Sequence, residues 1–94
     1  MSARDIREDA QPRLAAHRRL KFDEARKSWT IQAPERVFLL DDIAYAIVSR
    51  CDGEKTVIAI IDELCSAFEA PLHVVRTDVQ DLLHDFAAKG VMEL

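Results

Sequence analysis

The sequence predicts an α+β domain, a three-stranded antiparallel meander followed by three α-helices. Apolar residues alternate with polar ones between His17 and Ala33, they recur at helical spacing from Ile43 onward, and the stretches that separate these patterns are short. A period of two marks strands with one buried face, and a period near 3.6 marks amphipathic helices. Successive strands joined by short connections pair as a meander, on which the following helices form a second layer.

The first two strands are set by Leu20 and Phe22, which alternate with Arg19, Lys21 and Asp23, and by Trp29, Ile31 and Ala33, which alternate with Ser28, Thr30 and Gln32. The polar stretch between them lacks glycine and suits a longer hairpin connection rather than a two-residue type I′ turn. Trp29, within this alternation, is read as a sheet-face residue packed on the core. Pro34 lacks an N–H donor and holds Ala33 extended, so the chain turns there. The third strand follows at Arg36, Val37, Phe38, Leu39 and Leu40. It is apolar on both alternating faces, more than a strand with one solvated face requires.

Asp41 or Asp42 caps the first helix, whose Ile43, Ala44, Ile47, Val48 and Cys51 share a face for about three turns before Asp52 and Gly53 end it. Thr56 caps the second, with Val57, Ile60, Ile61, Leu64, Cys65 and Phe68 in one stripe. Pro71 opens the third, with Leu72, Val75, Val79, Leu82, Leu83 and Phe86 on one face and Gly90 past its end. Val91 and Met92 are expected to fold back onto the core. Residues 1–13 have no apolar period and read as a flexible leader, leaving 14–94 as the domain.

At 94 residues the chain suffices for one compact domain. The 49% hydrophobic content with two glycines and three prolines is that of a globular chain. No apolar run nears the roughly 20 residues of a bilayer span, and the opening residues lack the apolar stretch of a signal peptide, so no membrane association and a cytoplasmic location are expected. Residues 1–36 hold nine Lys/Arg against six Asp/Glu, and residues 37–94 four against eleven. The acidic half argues against nucleic-acid backbones and favours protein or peptide partners.

Sites for chemistry are scarce. His17, His73 and His84 form neither HxxxH nor HExxH spacing, and His84 lies among the solvated acids of the third helix. Cys51 and Cys65 lie on apolar stripes, where desolvation suppresses the thiolate, and they lack CxxC spacing, so reduced buried thiols are expected. Capping and solubility account for Asp41–Asp42 and Asp62–Glu63. Two glycines cannot supply a phosphate-binding loop. No catalytic residue, cofactor or metal ligand is assigned, and a non-enzymatic module is expected.

The outstanding feature is the third strand, an edge of the meander with two apolar faces and nothing in Val37, Phe38, Leu39 or Leu40 to blunt it. Such an edge suits strand addition, in which a peptide pairs its backbone with the strand and sets side chains into a groove walled by a helix. Three helices on a small sheet also suggest a winged-helix DNA binder. Against that reading, the last helix carries Asp78, Asp81 and Asp85 against Arg76 and Lys89, and would repel a duplex. A general protein-interaction adaptor is the other alternative.

Taken in order, the hairpin RLKFDEARKSW, the segment PERVFLLDDIAYAIVSRCDG, the helix TVIAIIDEL and the ending DVQDLLHDFAAKGVMEL resemble the pyrroloquinoline quinone biosynthesis protein D (PqqD) family. Members often have Asn where this chain has Asp41, one capping group for another. The resemblance implies a winged-helix-like fold of three strands and three helices, and a recognition domain of ribosomal-peptide modification. It implies a chaperone, without cofactor, that holds the precursor peptide PqqA and presents it to the radical S-adenosylmethionine enzyme PqqE, where the chemistry belongs. Members also occur fused to another enzyme of the pathway, which makes the leader a candidate former linker. The peptide then lies between the third strand, Arg36 to Leu40, and the last helix. Either Val37 and Leu39 or Phe38 and Leu40 face the groove, with Val75, Val79, Leu82, Leu83 and Phe86 as candidates for its wall.

Overall fold

The computed structural model describes residues 6–94; the opening of the expected leader, residues 1–5, lies outside them. The chain runs β1 (Arg13–Leu14), β2 (Arg19–Asp23), β3 (Ser28–Gln32), β4 (Val37–Leu39), α1 (Asp42–Val48), α2 (Val57–Phe68), α3 (Leu72–Ala88) and β5 (Met92–Glu93). The expected meander is β2, β3 and β4, antiparallel in that order. Its register places Leu20, Ile31 and Phe38 in one line across the sheet, with Phe22 opposite Trp29. This row is the inner face, as the period-two pattern requires. Ile31, in the central strand, is fully buried. Trp29 is half-buried and stacks on Tyr45 of α1 at 4.6 Å, which fixes the sheet against the helices. The β2–β3 turn closes without glycine: Asp23 accepts a hydrogen bond from the Arg26 N–H, and Lys27 takes the left-handed conformation, φ 54°.

The helical layer follows its caps. Asp41 Oδ1 accepts from the Ala44 N–H at 2.8 Å and Thr56 Oγ1 from the Ala59 N–H at 3.2 Å, so the capping residues are those the sequence indicated. The first helix is shorter than expected. It ends at Val48, and Cys51 is reached through tight turns in which the Arg50 N–H donates to Ile47 O and the Cys51 N–H to Val48 O. α2 stops at Glu69, in the left-handed conformation at φ 49° without the help of glycine. Past α3, Gly90 adopts φ 73° and lets Val91 and Met92 return to the core, both buried. The core joins Ile31, Ile47, Val57, Ile60, Ile61, Val79 and Leu83 between sheet and helices.

Two features carry no period and were not expected. β1 pairs antiparallel with β5, Arg13 opposite Glu93 and Leu14 opposite Met92, and the Arg13 guanidinium meets the Glu93 carboxylate at 3.1 Å. Ahead of β1, residues 6–12 form a strap across α2 and α3. Glu8 pairs with Arg76 at 2.7 Å, and the Gln80 side-chain amide exchanges hydrogen bonds with the backbone of Ile6. The carbonyls of Ala10 and Glu8 accept from the Val57 and Ile58 N–H groups at 2.9 and 3.0 Å. Together with the Thr56 side chain these satisfy the first donors of α2, which a helix cannot pair internally. Pro12 is fully buried. The leader expected over residues 1–13 is therefore, in its described part, fastened to the domain, because the open end of α2 gives its carbonyls partners.

Candidate functional site

The sheet has two edges, and they differ in kind. β2 presents Arg19, Lys21 and Asp23, charges that discourage another strand. β4 presents Val37, Phe38 and Leu39. Its free backbone groups follow from the hydrogen-bond pattern. Ala33 and Arg36 exchange both backbone bonds, at 2.9 and 3.4 Å, and the Leu40 N–H donates to Trp29 O at 3.0 Å. Bonded pairs alternate with non-bonded ones in an antiparallel ladder. Arg36, Phe38 and Leu40 thus turn their backbone toward β3, and the N–H and C=O groups of Val37 and Leu39 face the open edge.

The same alternation sorts the side chains. Val37 and Leu39 point away from the helices and are 50% and 61% exposed. Phe38 and Leu40 point inward: Leu40 is buried, and the half-buried Phe38 ring lies 6.0 Å from that of Phe86 on α3. The Arg36 guanidinium sits 4.7 Å from the centre of the Phe38 ring, so the strand begins with a cation held over an aromatic face. A strand laid along the edge would pair with Val37 and Leu39. Its side chains would alternate between their exposed face and the side occupied by Phe38 and α3.

Of the five helix residues considered for the wall, Val75, Val79, Leu83 and Phe86 are buried in the core. Leu82 is half-buried and lines a shallow groove of about 350 Å³ between α1 and α3, together with Ile43, Ala44, Asp78, Asp81 and Asp85. The core stripe and the groove wall are adjacent faces of one helix, which is why a single apolar list contained both. Asp78, Asp81 and Asp85 recur at helical spacing beside Leu82 and were legible as an acidic stripe. Ile43 was counted as core and instead lies at the groove.

No group of three or more His, Cys, Asp and Glu side chains suited to a metal ion occurs among the described residues. Burial pushes the Cys51 thiol up to about 12, with Asp52 adding to the effect, and its Sγ–H donates to Ile47 O. That thiol is a packing group. What the edge and groove can do chemically is hold an extended chain.

Residues 28–92, from β3 to the first residue of β5, match the sequence model of the family described as Coenzyme PQQ synthesis protein D (PqqD). The chain belongs to the PqqD family. Proteins named PqqA binding protein resemble it along almost their whole length. That of Rhodopseudomonas palustris (strain BisB5) is 45% identical, over 98% of this chain and 92% of the relative. That of Bradyrhizobium diazoefficiens is 40% identical, over 93% and 84%. Among solved PqqD structures, the solution structure of the PqqD truncation of Methylobacterium extorquens PqqCD superposes with a TM-score of 0.76 at 38% identity, covering 88% of each chain. It is described as a functional, stand-alone recognition element for ribosomally synthesized and post-translationally modified peptides. The crystal structure of PqqD from Xanthomonas campestris gives 0.61 at 38% identity, over 96% of this chain and all of the other. The PqqD fold expected from the sequence, three strands and three helices, is thus the fold observed.

Proposed function

We propose that this chain is a non-catalytic peptide chaperone of pyrroloquinoline quinone biosynthesis, which binds the precursor peptide PqqA as an added strand on β4 and presents it to the radical S-adenosylmethionine enzyme PqqE in the cytoplasm. The observation that carries the reading is the outward backbone of Val37 and Leu39 on an edge that is apolar on both faces. An isolated domain with such an edge is open to unwanted pairing. A peptide that completes the sheet resolves this, gaining backbone hydrogen bonds along the edge and specificity from side chains on either face. Membership of the PqqD family, the name PqqA binding protein among the relatives and the recognition-element description of the Methylobacterium domain all support it.

Arg36, Val37 and Leu39 are the contact residues on the strand side and Leu82 on the helix side. Phe38, Leu40 and Phe86 hold the floor between them, and Val75, Val79 and Leu83 back it from within the core. Calorimetric titration with PqqA, alone and then with PqqE, tests the function: saturable binding without turnover is expected, followed by assembly of all three. Amide NMR during the same titration tests the place. Shifts at Val37, Leu39 and Leu82 are expected, and a stationary β4 while other regions move would overturn strand addition.

A further inference from the structure

Two apolar side chains that helical spacing assigns to buried faces, Ile43 and Phe68, are instead left to solvent beside a third, Val74, that it does not. Ile43 of α1 is 59% exposed and Phe68 at the end of α2 60%, with Val74 in the first turn of α3 close behind at 43%. They surround one pocket of about 260 Å³, floored by Leu64 and bordered by Asp42 and Asp78. The volume is below that of sites for drug-sized ligands, about 300 to 1,000 Å³, and suits one large side chain. Ile43 and Asp78 also line the shallow groove beside Leu82, so the pocket continues that groove toward the N-terminal end of α3. Neither is lined by a Lys, Arg or His. Asp42 and Asp78 have no ion-pair partner among the described residues.

We propose that this pocket anchors the same peptide a second time. It takes a large apolar side chain, Leu, Phe or Trp, whose neighbour in the peptide is a Lys or Arg that meets Asp42 and Asp78. The inference rests on strand addition at β4, and the pocket is continuous with the groove beside Leu82 that forms the helix side of that site. From Phe86, beside β4, to Val74 the helix rises about 18 Å. An extended peptide covers that in about five or six residues. The anchor residue is therefore five or six positions from the one set against Phe38, on the side of the peptide that leaves β4 at Leu39. A short peptide that only pairs with β4 misses it.

Two variants separate the contributions. Phe68→Gln with Val74→Gln makes the pocket polar on exposed positions, and Gln is a good helix former. Asp42→Asn with Asp78→Asn removes the charge. With PqqA as probe, calorimetry is expected to show about tenfold weaker binding for the first, the contribution of one buried side chain. The second is expected to bind about threefold more weakly at low salt, a difference that high salt removes. Amides of Ile43, Val74 and Asp78 should shift together with those of Val37 and Leu39. If β4 shifts while the pocket does not, and both variants bind like the parent, the anchor is overturned and strand addition stands. If β4 stays unshifted, strand addition falls and this inference with it. Unchanged PqqA affinity combined with lost self-association in sedimentation, or lost capture of PqqE, would assign the pocket to a second copy or to the enzyme and overturn the proposal.

Discussion

Phe38 of β4 and Phe86 of α3 meet with ring centroids 6.0 Å apart at an interplanar angle of 56°, and this contact joins the open edge of the sheet to the last helix. Phe38→Ala removes a half-buried ring, so unfolding in urea should show a loss of about 2 kcal/mol, less than for a fully buried phenylalanine. A double-mutant cycle with Phe86→Ala should give a coupling of about 1 kcal/mol, the range of aromatic pairs. A coupling near zero would mean that the rings do not sense each other in solution.

Backbone direction on β4 is tested by a proline series. At Val37 or Leu39, proline removes an outward N–H, which should weaken PqqA binding by at least about 1 kcal/mol while the β3–β4 ladder survives. At Phe38 it removes a donor that faces β3, so thermal unfolding should move to lower temperature even without peptide. Equal effects at all three positions would contradict the assigned alternation.

Deleting residues 1–12 should destabilise the domain by about 3 kcal/mol or more. Two helix-capping carbonyl contacts contribute about 1 kcal/mol each, and the apolar surface of Pro12 and Ile6 adds to them. Hydrogen exchange gives the sharper reading, since the amides of Val57 and Ile58 should exchange much faster in the shortened chain. Glu8→Gln alone should have a small effect, because the Glu8–Arg76 pair is partly exposed.

The Cys51 thiol yields a pH prediction. Burial pushes it up to about 12 in the folded state, above the roughly 8.5 of an unfolded chain. The unfolded chain therefore loses this proton first, and stability should fall from about pH 9 toward 12 by up to about 1.4 kcal/mol per pH unit. Cys51→Ala should flatten that slope. Thiol-specific reagents should leave Cys51 unmodified below about pH 9 unless the protein unfolds.

Much of this was legible because side-chain pattern and backbone geometry share a period. The alternation from Leu20 to Ile31 gave the hairpin, Thr56 declared the start of the second helix, and the choice of Asp41 over Asp42 as the cap of the first came with the structure. On β4 both alternating pairs are apolar, so only the register with β3 tells Val37 and Leu39 from Phe38 and Leu40. Helical stripes were read as buried, yet Ile43, Phe68 and Leu72 are exposed because the stripes are wider than the surface their neighbours cover. The β1–β5 pair and the strap had no signature at all. A two-residue strand is too short for a period, and a carbonyl that caps a distant helix does so whatever side chain it carries.

The strap and the β1–β5 pair also set an order in time. Residues 6–14 are made well before Arg76, Gln80, Met92 and Glu93, which hold them. Contacts 68 to 80 positions apart form late, since a long loop must close first, while the β2–β3 hairpin is local. The meander can thus assemble on the ribosome while α2 still lacks its carbonyl caps, and the domain locks only when its last residues emerge. A ribosome stalled before Arg76 should carry a chain whose sheet has formed but whose residues 6–14 remain open to protease.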